Sequence, residues 1–245
     1  MTLTEAARAD STTSTKPDGY RQLPELMTLM TGDEKHDSSS TSTLDALWVL
    51  YDRVLRVNSR WPDDPARDRF LLSKGHGPVA YYAVLAAKGF LTRDQLRSFG
   101  DLDSVLGYHP DRVLVPGVEI GAGSLGHGLG LAVGTALGLR LTGHPDSRVV
   151  VMTGDAELEE GSNLEAIQYA GRAGLGRLMA VVIDNRSASL GWPGGIAARF
   201  TAEGWTGVDV AGRDHEALAG AYAAGSPSRP HVVVAHVEAK SLAQH

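Results

Sequence analysis

Two polar side chains, Asp155 and Asn185, follow two short apolar runs at a spacing that suits metal binding. The runs, residues 148–153 and 178–183, are rich in apolar and β-branched residues, and residues 163–172 between them have a helical pattern. Such runs predict strands that are covered on both faces, and the segment therefore predicts a βαβ unit. A βαβ unit places both strand ends at one edge of a parallel sheet, so we expect Asp155 and Asn185 to be neighbours.

The side chains at this edge favour a hard cation. Carboxylate and amide oxygens suit Mg²⁺, which typically takes one or two carboxylates and keeps positions for phosphate oxygens. The turn over residues 154–161, between the first strand and the helix, begins and ends with glycine and is acidic. The sequence therefore predicts a site for a divalent cation and a diphosphate.

The residues of this site resemble a known motif. Gly154-Asp155-Ala156, followed by Asn185 at 185 − 155 = 30 positions after the aspartate, resembles the thiamine diphosphate motif, and its surroundings are similar to the N-terminal half of the transketolase family. The resemblance implies that Asp155, Asn185 and the main-chain carbonyl of Ser187 bind Mg²⁺. It also implies that Gly154 and Ala156 contact the cofactor. The family usually has Gly where this chain has Ala156, whose backbone N–H is still able to face a phosphate.

Two histidines carry further parts of the resemblance. Residues 68–76, D-R-F-L-L-S-K-G-H, include a short apolar strand and a turn onto the helix predicted for residues 79–88, and they resemble a transketolase signature. The family pattern implies that His76 faces the cofactor diphosphate and the substrate, whereas composition alone favours a helix-capping turn with an incidental histidine. His36 occupies the place of another substrate-facing histidine, with a solvated loop histidine as the alternative.

Residues 107–128 are similar to two more family motifs. His109 matches a substrate-binding histidine of the family, with one residue inserted before it. Gly123 matches a glycine that contacts the cofactor, and Leu125 matches a residue that packs near the thiazolium. The implied catalytic set is thus His36, His76 and His109. His127 replaces a family glutamine, and it either shifts pKa values near the cofactor or makes a buried contact at a helix terminus.

A dinucleotide site is the competing interpretation of the glycines. Residues 121–126 fit G-x-G-x-x-G and precede a helical pattern. The strand expected before them is only residues 118–120, and the acidic residue expected about 20 positions later is Asp146. A ribose-binding acidic residue is expected at the end of the next strand, whereas Asp146 precedes that strand. The glycines therefore do not predict a dinucleotide site.

Acidic residues and a glycine-rich segment flank the predicted site. Glu160 and Glu165 match family carboxylates at the interface between active sites, although acidic side chains in a first helical turn, Glu159 included, also interact favourably with the helix dipole. Residues 189–195 predict a mobile loop over the site.

Composition and pattern set the fold class. The chain has 245 residues and is 42% hydrophobic. Its formal net charge of −6 argues against a general nucleic-acid binder. It contains no cysteine, which excludes disulfides and thiolate sites. Residues 1–20 predict a disordered tail, and residues 21–245 predict one α/β domain, a parallel sheet with helices on both faces. The resemblance to the transketolase family implies that this domain has the thiamine-diphosphate-binding fold. With no signal peptide pattern or membrane span, we expect a cytoplasmic protein.

The remaining elements are predicted from apolar periodicity and from the turn-forming residues between the elements. A polar run at residues 38–42 is expected to supply a hydroxyl N-cap to the helix that follows. The apolar face predicted for that helix consists of Leu44, Leu47, Trp48, Tyr51 and Leu55. The other predicted elements are helices within residues 21–30, 196–203 and 215–224 and strands over residues 70–72, 205–210 and 232–237.

The resemblance also implies a partner. In full-length transketolases a second domain binds the cofactor's pyrimidine and supplies an activating glutamate, whereas this chain ends at His245. We therefore expect a split, two-component enzyme, α₂β₂, whose C-terminal subunit completes the site across a face above ~2,000 Å². The implied reaction transfers a two-carbon ketol unit from a ketose phosphate to an aldehyde or related acceptor, with thiamine diphosphate and Mg²⁺ as cofactors. The alternatives are an α-subunit of the 2-oxo-acid dehydrogenase type, or a catalytically silent paralogue that acts as an assembly partner.

Overall fold

A five-stranded parallel sheet forms the centre of the protein. The computed structural model describes residues 19–30, 41–75 and 78–239. Within these ranges the strands lie in the order β1-β2-β3-β5-β4. Their bounds are Arg69–Leu72 for β1, Val149–Gly154 for β2, Leu178–Asp184 for β3, Thr206–Ala211 for β4 and His231–His236 for β5.

Helices cover both faces of this sheet. The α-helices are α1 Leu23–Thr28, α2 Leu44–Val49, α3 Val79–Ala87, α4 Arg93–Arg97, α5 His127–Leu141, α6 Gly161–Arg172, α7 Ile196–Ala202 and α8 His215–Ala223. A π-helical turn, Leu50–Val54, continues α2, and a 3₁₀ turn, Ala156–Glu159, connects β2 to α6. The parallel α/β class predicted from the sequence is confirmed. None of the helices in these ranges is long and apolar enough to cross a bilayer.

The two faces follow from strand periodicity and from the handedness of the connections. Side chains alternate along β2 between two hydrophobic cores, one on each face of the sheet. Val149 and Val151 pack into the core with α5 and α6, and Val150 and Met152 pack into the core with α1 to α4 and α8. From β1 to β3 the chain advances in one direction across the sheet. The step from β4 to β5 runs back, and a right-handed connection then places α8 on the opposite face.

The structure confirms most of the predicted elements. The five residues of the predicted apolar face over residues 44–55 are all buried, although α2 itself ends at Val49 and the π-helical turn continues it to Val54. Thr43, the residue before α2, has a helical backbone and makes no side-chain cap hydrogen bond. The predicted hydroxyl N-cap stays a prediction, because residues 38–40 of the polar run lie outside the described residues. Residues 118–120 form no strand, which removes the last support for a dinucleotide site.

The end of the predicted tail belongs to the folded part of the chain. Tyr20 donates from its hydroxyl to Asp45 at 2.5 Å and packs edge-on against Trp48 and His215. Asp45 also accepts from Arg213 at 2.7 Å, which fixes the segment to the loop after β4. Residues 1–18, the rest of that predicted tail, lie outside the described residues.

Candidate functional site

The ends of β2 and β3 form one edge of a polar site. The two strands pair in parallel with Gly154 opposite Ile183, and Asp155 N–H donates to the Ile183 carbonyl at 3.1 Å. The Asp155 carboxylate accepts from Ser187 N and Ser187 Oγ, both at 2.6 Å, and from Ala188 N at 3.0 Å. The expected proximity of the two strand ends is therefore confirmed. We call Gly154, Asp155, Asn185 and Ser187 the strand-tip site.

A buried oxygen of the strand-tip site has no hydrogen-bond partner among the described residues. Asn185 is 3% exposed, and its Oδ1 accepts no hydrogen bond from the described part of the chain. A buried acceptor without a partner is unfavourable, and a cation would satisfy it. Asp155, 1% exposed, supplies a carboxylate at the same edge. The described residues contain no cluster of three or more His, Asp or Glu ligands. Mg²⁺ does not need one, because phosphate oxygens and water complete its shell.

Glycine contacts place the next loops against this edge. Gly123 has φ +133°, and a Cβ there would lie 3.2 Å from His109 Cδ2. A Cβ on Gly75 would lie 2.7 Å from Gly123 N, and one on Gly154 would lie 3.5 Å from Lys74 Cδ. The turn after β1 and the loop before α5 are thus in direct contact with each other, and the turn also reaches the tip of β2.

The predicted cofactor and substrate residues divide into two groups. His109 is exposed beside Gly123, and Leu125 is 38% exposed next to the start of α5. His36 and His76 lie outside the described residues, so their roles stay predictions. The first residue of α5, His127, is exposed, so the alternative of a buried helix-terminus contact is wrong.

Sequence reasoning missed Glu157. This glutamate is 2% exposed and accepts hydrogen bonds from Ser73 Oγ, from Gly126 N at 2.9 Å and from Gly154 N at 3.4 Å. Burial raises the pKa of the Glu157 carboxyl, although the three donors oppose that shift. The available signal was its place in the acidic turn after Asp155, two residues past the predicted cation ligand.

The other acidic residues of the turn are used differently. Glu159 accepts from Ser189 Oγ at 2.7 Å and Leu190 N at 2.6 Å, and the Leu190 amide and the Ser189 hydroxyl lower the pKa of Glu159. Glu159 therefore binds the loop over residues 189–195, a contact that the helix-dipole interpretation did not include. Glu160 is the N-cap residue of α6 without a side-chain cap bond, and both it and Glu165 are exposed. Their interface role stays a prediction.

Two cavities lie at the opposite edge of the sheet. One of about 210 Å³ is lined by residues at the starts of β2, β3 and β5, including Arg148, Leu178 and His231. A second of about 350 Å³ lies beside it, between the end of α5 and Arg177. Ligands of parallel α/β sheets bind outside the carboxyl ends of the strands, so neither cavity competes with the strand-tip site as the candidate site.

Comparison with known families agrees with this geometry. A family model described as "Transketolase, thiamine diphosphate binding domain" matches residues 28–237. The chain belongs to the transketolase family. The match includes all of the strands described above and the whole strand-tip site, so the parallel sheet is that of a thiamine diphosphate binding domain.

Two relatives are similar to this chain over most of its length. The chain is 34% identical over 212 residues to an apulose-4-phosphate transketolase subunit from Phocaeicola vulgatus, with 82% of this chain and 74% of that protein covered. It is 54% identical over 222 residues to a Rhodococcoides fascians protein named ferredoxin fas2, covering 91% of this chain and 73% of that one. Ferredoxins hold iron–sulfur clusters through cysteine thiolates, and this chain has no cysteine.

Solved transketolases have the same fold. A transketolase mutant from Pichia stipitis superposes with a TM-score of 0.74 at 26% identity, covering 89% of this chain and 36% of that one. The chain therefore spans about a third of the length of that transketolase, and about three quarters of the two relatives above.

Proposed function

We propose that this chain is the diphosphate-binding subunit of a two-component transketolase that depends on thiamine diphosphate and Mg²⁺. It transfers a two-carbon ketol unit from a ketose phosphate to an aldehyde or related acceptor. The observation that carries the proposal is the strand-tip site, where buried Asp155 lies at the same edge as Asn185, whose Oδ1 lacks a partner among the described residues. Family membership supports the cofactor.

The strand-tip site holds the cofactor's charged end. Asp155, Asn185 and the carbonyl of Ser187 bind the cation, and the backbone at Gly154 and Ala156 faces the diphosphate. The bound thiamine supplies the carbanion chemistry, and the protein supplies orientation and proton transfer. Asp155 is held in place by three donors from residues 187 and 188, which orients its carboxylate before any ligand binds.

The substrate side of the pocket is formed by His109 together with His76 and His36. Exposed His109 beside Gly123 supports this assignment, because Gly123 precedes Leu125, the residue assigned to the thiazolium. In this assignment the histidines bind sugar hydroxyls and move protons at the reacting carbon.

A second subunit completes the pocket in the proposed enzyme. Apolar side chains remain exposed beside the site: Leu125 at 38%, Tyr108 at 39% and Leu190 at 85%. Two relatives are each named as one subunit of an apulose-4-phosphate transketolase, which supports division of the enzyme into subunits. The partner supplies the pyrimidine-binding domain and the activating glutamate, in an α₂β₂ assembly, with Glu160 and Glu165 near the contact between active sites.

Cofactor binding by the complex tests the proposal. Titration with thiamine diphosphate and Mg²⁺ should saturate in the wild-type complex, and Asp155→Asn should weaken binding at least about 10- to 100-fold. Asp209→Asn, a half-exposed carboxylate on β4, is the matched control and should bind as wild type. Equal binding by Asp155→Asn would show that the metal assignment is wrong.

The donor decides the reaction class. A ketose phosphate should give turnover with an aldehyde acceptor, whereas turnover of a 2-oxo acid alone would identify a 2-oxo-acid dehydrogenase-type subunit. Saturable cofactor binding without turnover of either donor would identify a silent assembly partner. Membership of the transketolase family supports the first outcome.

A further inference from the structure

A buried carboxylate outside the predicted ligand set joins three parts of the site. Glu157 is 2% exposed, and its Oε1 accepts from both Ser73 Oγ and Gly126 N, the latter at 2.9 Å. Its Oε2 accepts from Gly154 N at 3.4 Å. Ser73 Oγ in turn accepts from Gly128 N at 3.0 Å. We call these five residues the Glu157 cluster.

Each segment joined by the Glu157 cluster contains a residue assigned to the cofactor. Ser73 follows β1 and begins the turn that leads to His76. Gly126 follows Leu125. Gly154 precedes Asp155 and ends β2. One side chain therefore bonds to three segments that are far apart in sequence and that all contribute to the cofactor site.

The bonds also satisfy the first amide groups of α5. The N-terminal N–H groups of a helix have no partner within the helix, and a carboxylate there interacts favourably with the helix dipole. The structure uses Glu157 for Gly126 N–H and Ser73 for Gly128 N–H. The fit is close, because a Cβ on Gly128 would lie 2.2 Å from Ser73 Cβ. Removal of the carboxylate leaves the Gly126 and Gly154 amides and the Ser73 hydroxyl without this acceptor, whereas Gly128 N–H keeps Ser73 Oγ. An unpaired buried donor is unfavourable, so the contact between the start of α5 and the strand tips is weakened.

We propose that Glu157 is a positioning residue for thiamine diphosphate: it fixes the loop before α5 against the strand tips at the spacing that the cofactor requires. The inference rests on the proposed function. All of the hydrogen bonds described for Glu157 are used to hold groups of this chain, so we assign it a positioning role and not a catalytic one. Partners that orient ligand-binding groups in this way typically contribute about 10- to 100-fold to affinity.

Two variants separate the carboxylate's hydrogen bonds from its volume. Glu157→Ala removes every acceptor, and we expect the Kd of the complex for thiamine diphosphate, at saturating Mg²⁺, to rise about 10- to 100-fold. Glu157→Gln keeps an oxygen for Ser73 Oγ and Gly126 N and loses only the long contact to Gly154 N, so most of the affinity should return. The KM for the cofactor should rise in Glu157→Ala, while kcat at saturating cofactor stays close to wild type.

Hydrogen exchange gives a readout without cofactor. The amide of Gly126, whose acceptor is the Glu157 carboxylate, should lose protection in Glu157→Ala and keep it in Glu157→Gln, each measured in the cofactor-free complex. Asp68→Asn is the control, because Asp68 is an equally buried carboxylate at the opposite end of β1. It should lower stability and leave the cofactor Kd unchanged.

The outcomes are distinct. Wild-type affinity in Glu157→Ala, or an equal loss of affinity in Asp68→Asn, would overturn the positioning role and leave the proposed function intact. No saturable binding of thiamine diphosphate by the wild-type complex would overturn the proposed function and this inference with it. A raised Kd in Glu157→Ala, with rescue by Gln and local loss of amide protection, would support the inference.

Discussion

At the scale of single residues, Asp68 shows how the start of the sheet is held. This carboxylate is fully buried and accepts from Arg56 N at 2.9 Å, Arg56 Nη2 at 2.8 Å and Arg148 N at 2.8 Å. Burial alone would raise the pKa of Asp68, but the hydrogen bonds and the two arginines hold it below its ordinary value.

Asp68→Asn should therefore lower the free energy of unfolding by about 2 kcal/mol at neutral pH, because hydrogen bonds to a charged group are lost. A carboxyl with a lowered folded-state pKa stabilises the fold above its unfolded pKa of about 4 and loses that contribution as the pH falls through the folded value. In urea unfolding from pH 7 to pH 3, the free energy of unfolding should therefore fall less steeply with pH in Asp68→Asn than in wild type. An equal fall in both proteins would contradict the ion-pair account.

At the scale of elements, α5 contains glycines of two kinds. A Cβ on Gly128 would strike Ser73, whereas one on Gly134 would meet nothing within 4 Å. Glycine in a helix interior is less favourable than alanine by about 0.5–1 kcal/mol. Gly134→Ala should therefore raise the free energy of unfolding of the isolated chain by about that amount, and Gly128→Ala should lower it. Thermal or urea unfolding of the two variants measures this, and destabilisation by both would show that Gly134 has a neighbour.

The start of β5 carries a titrating group. His231 is 4% exposed and lies within hydrogen-bonding distance of Thr206 Oγ1 and the Ala221 carbonyl. Burial lowers the pKa of His231 below its ordinary value of 6.5, so the unfolded chain takes up this proton first. Stability should therefore fall as the pH drops below about 6.5. In urea unfolding between pH 7.5 and 5, wild type should lose more stability than His231→Gln; equal losses would count against this account.

The sequence predicted the strands better than the turns between them. The valine-rich runs of β2 and β5 predict buried strands because they are short and rich in β-branched residues, which favours a strand over a buried helix. Glu157 was not recognisable, because an acidic residue near a helix start has a general explanation and its partners lie 31 and 84 positions away.

At the scale of the whole molecule, two exposed leucines allow a test of the partner surface. Leu190, 85% exposed, lies at the strand tips, and Leu141, 87% exposed, ends α5 at the opposite edge. Leu190→Glu should weaken assembly with the pyrimidine-domain subunit, because a charge would be buried without a partner there. Leu141→Glu should assemble as wild type. Sedimentation of the mixed subunits measures both, and equal effects would show that the partner does not bind at the strand tips.

The hydrogen bonds of Glu159 have one more consequence. Its carboxylate binds Ser189 and Leu190 while its backbone belongs to the turn that follows Asp155. A displacement of residues 189–195 therefore pulls on the segment that carries a proposed cation ligand. We expect the escape of bound cofactor and the outward swing of this loop to be a single kinetic event, so that Glu159→Gln shortens the cofactor's residence time and leaves its association rate constant unchanged in stopped-flow experiments.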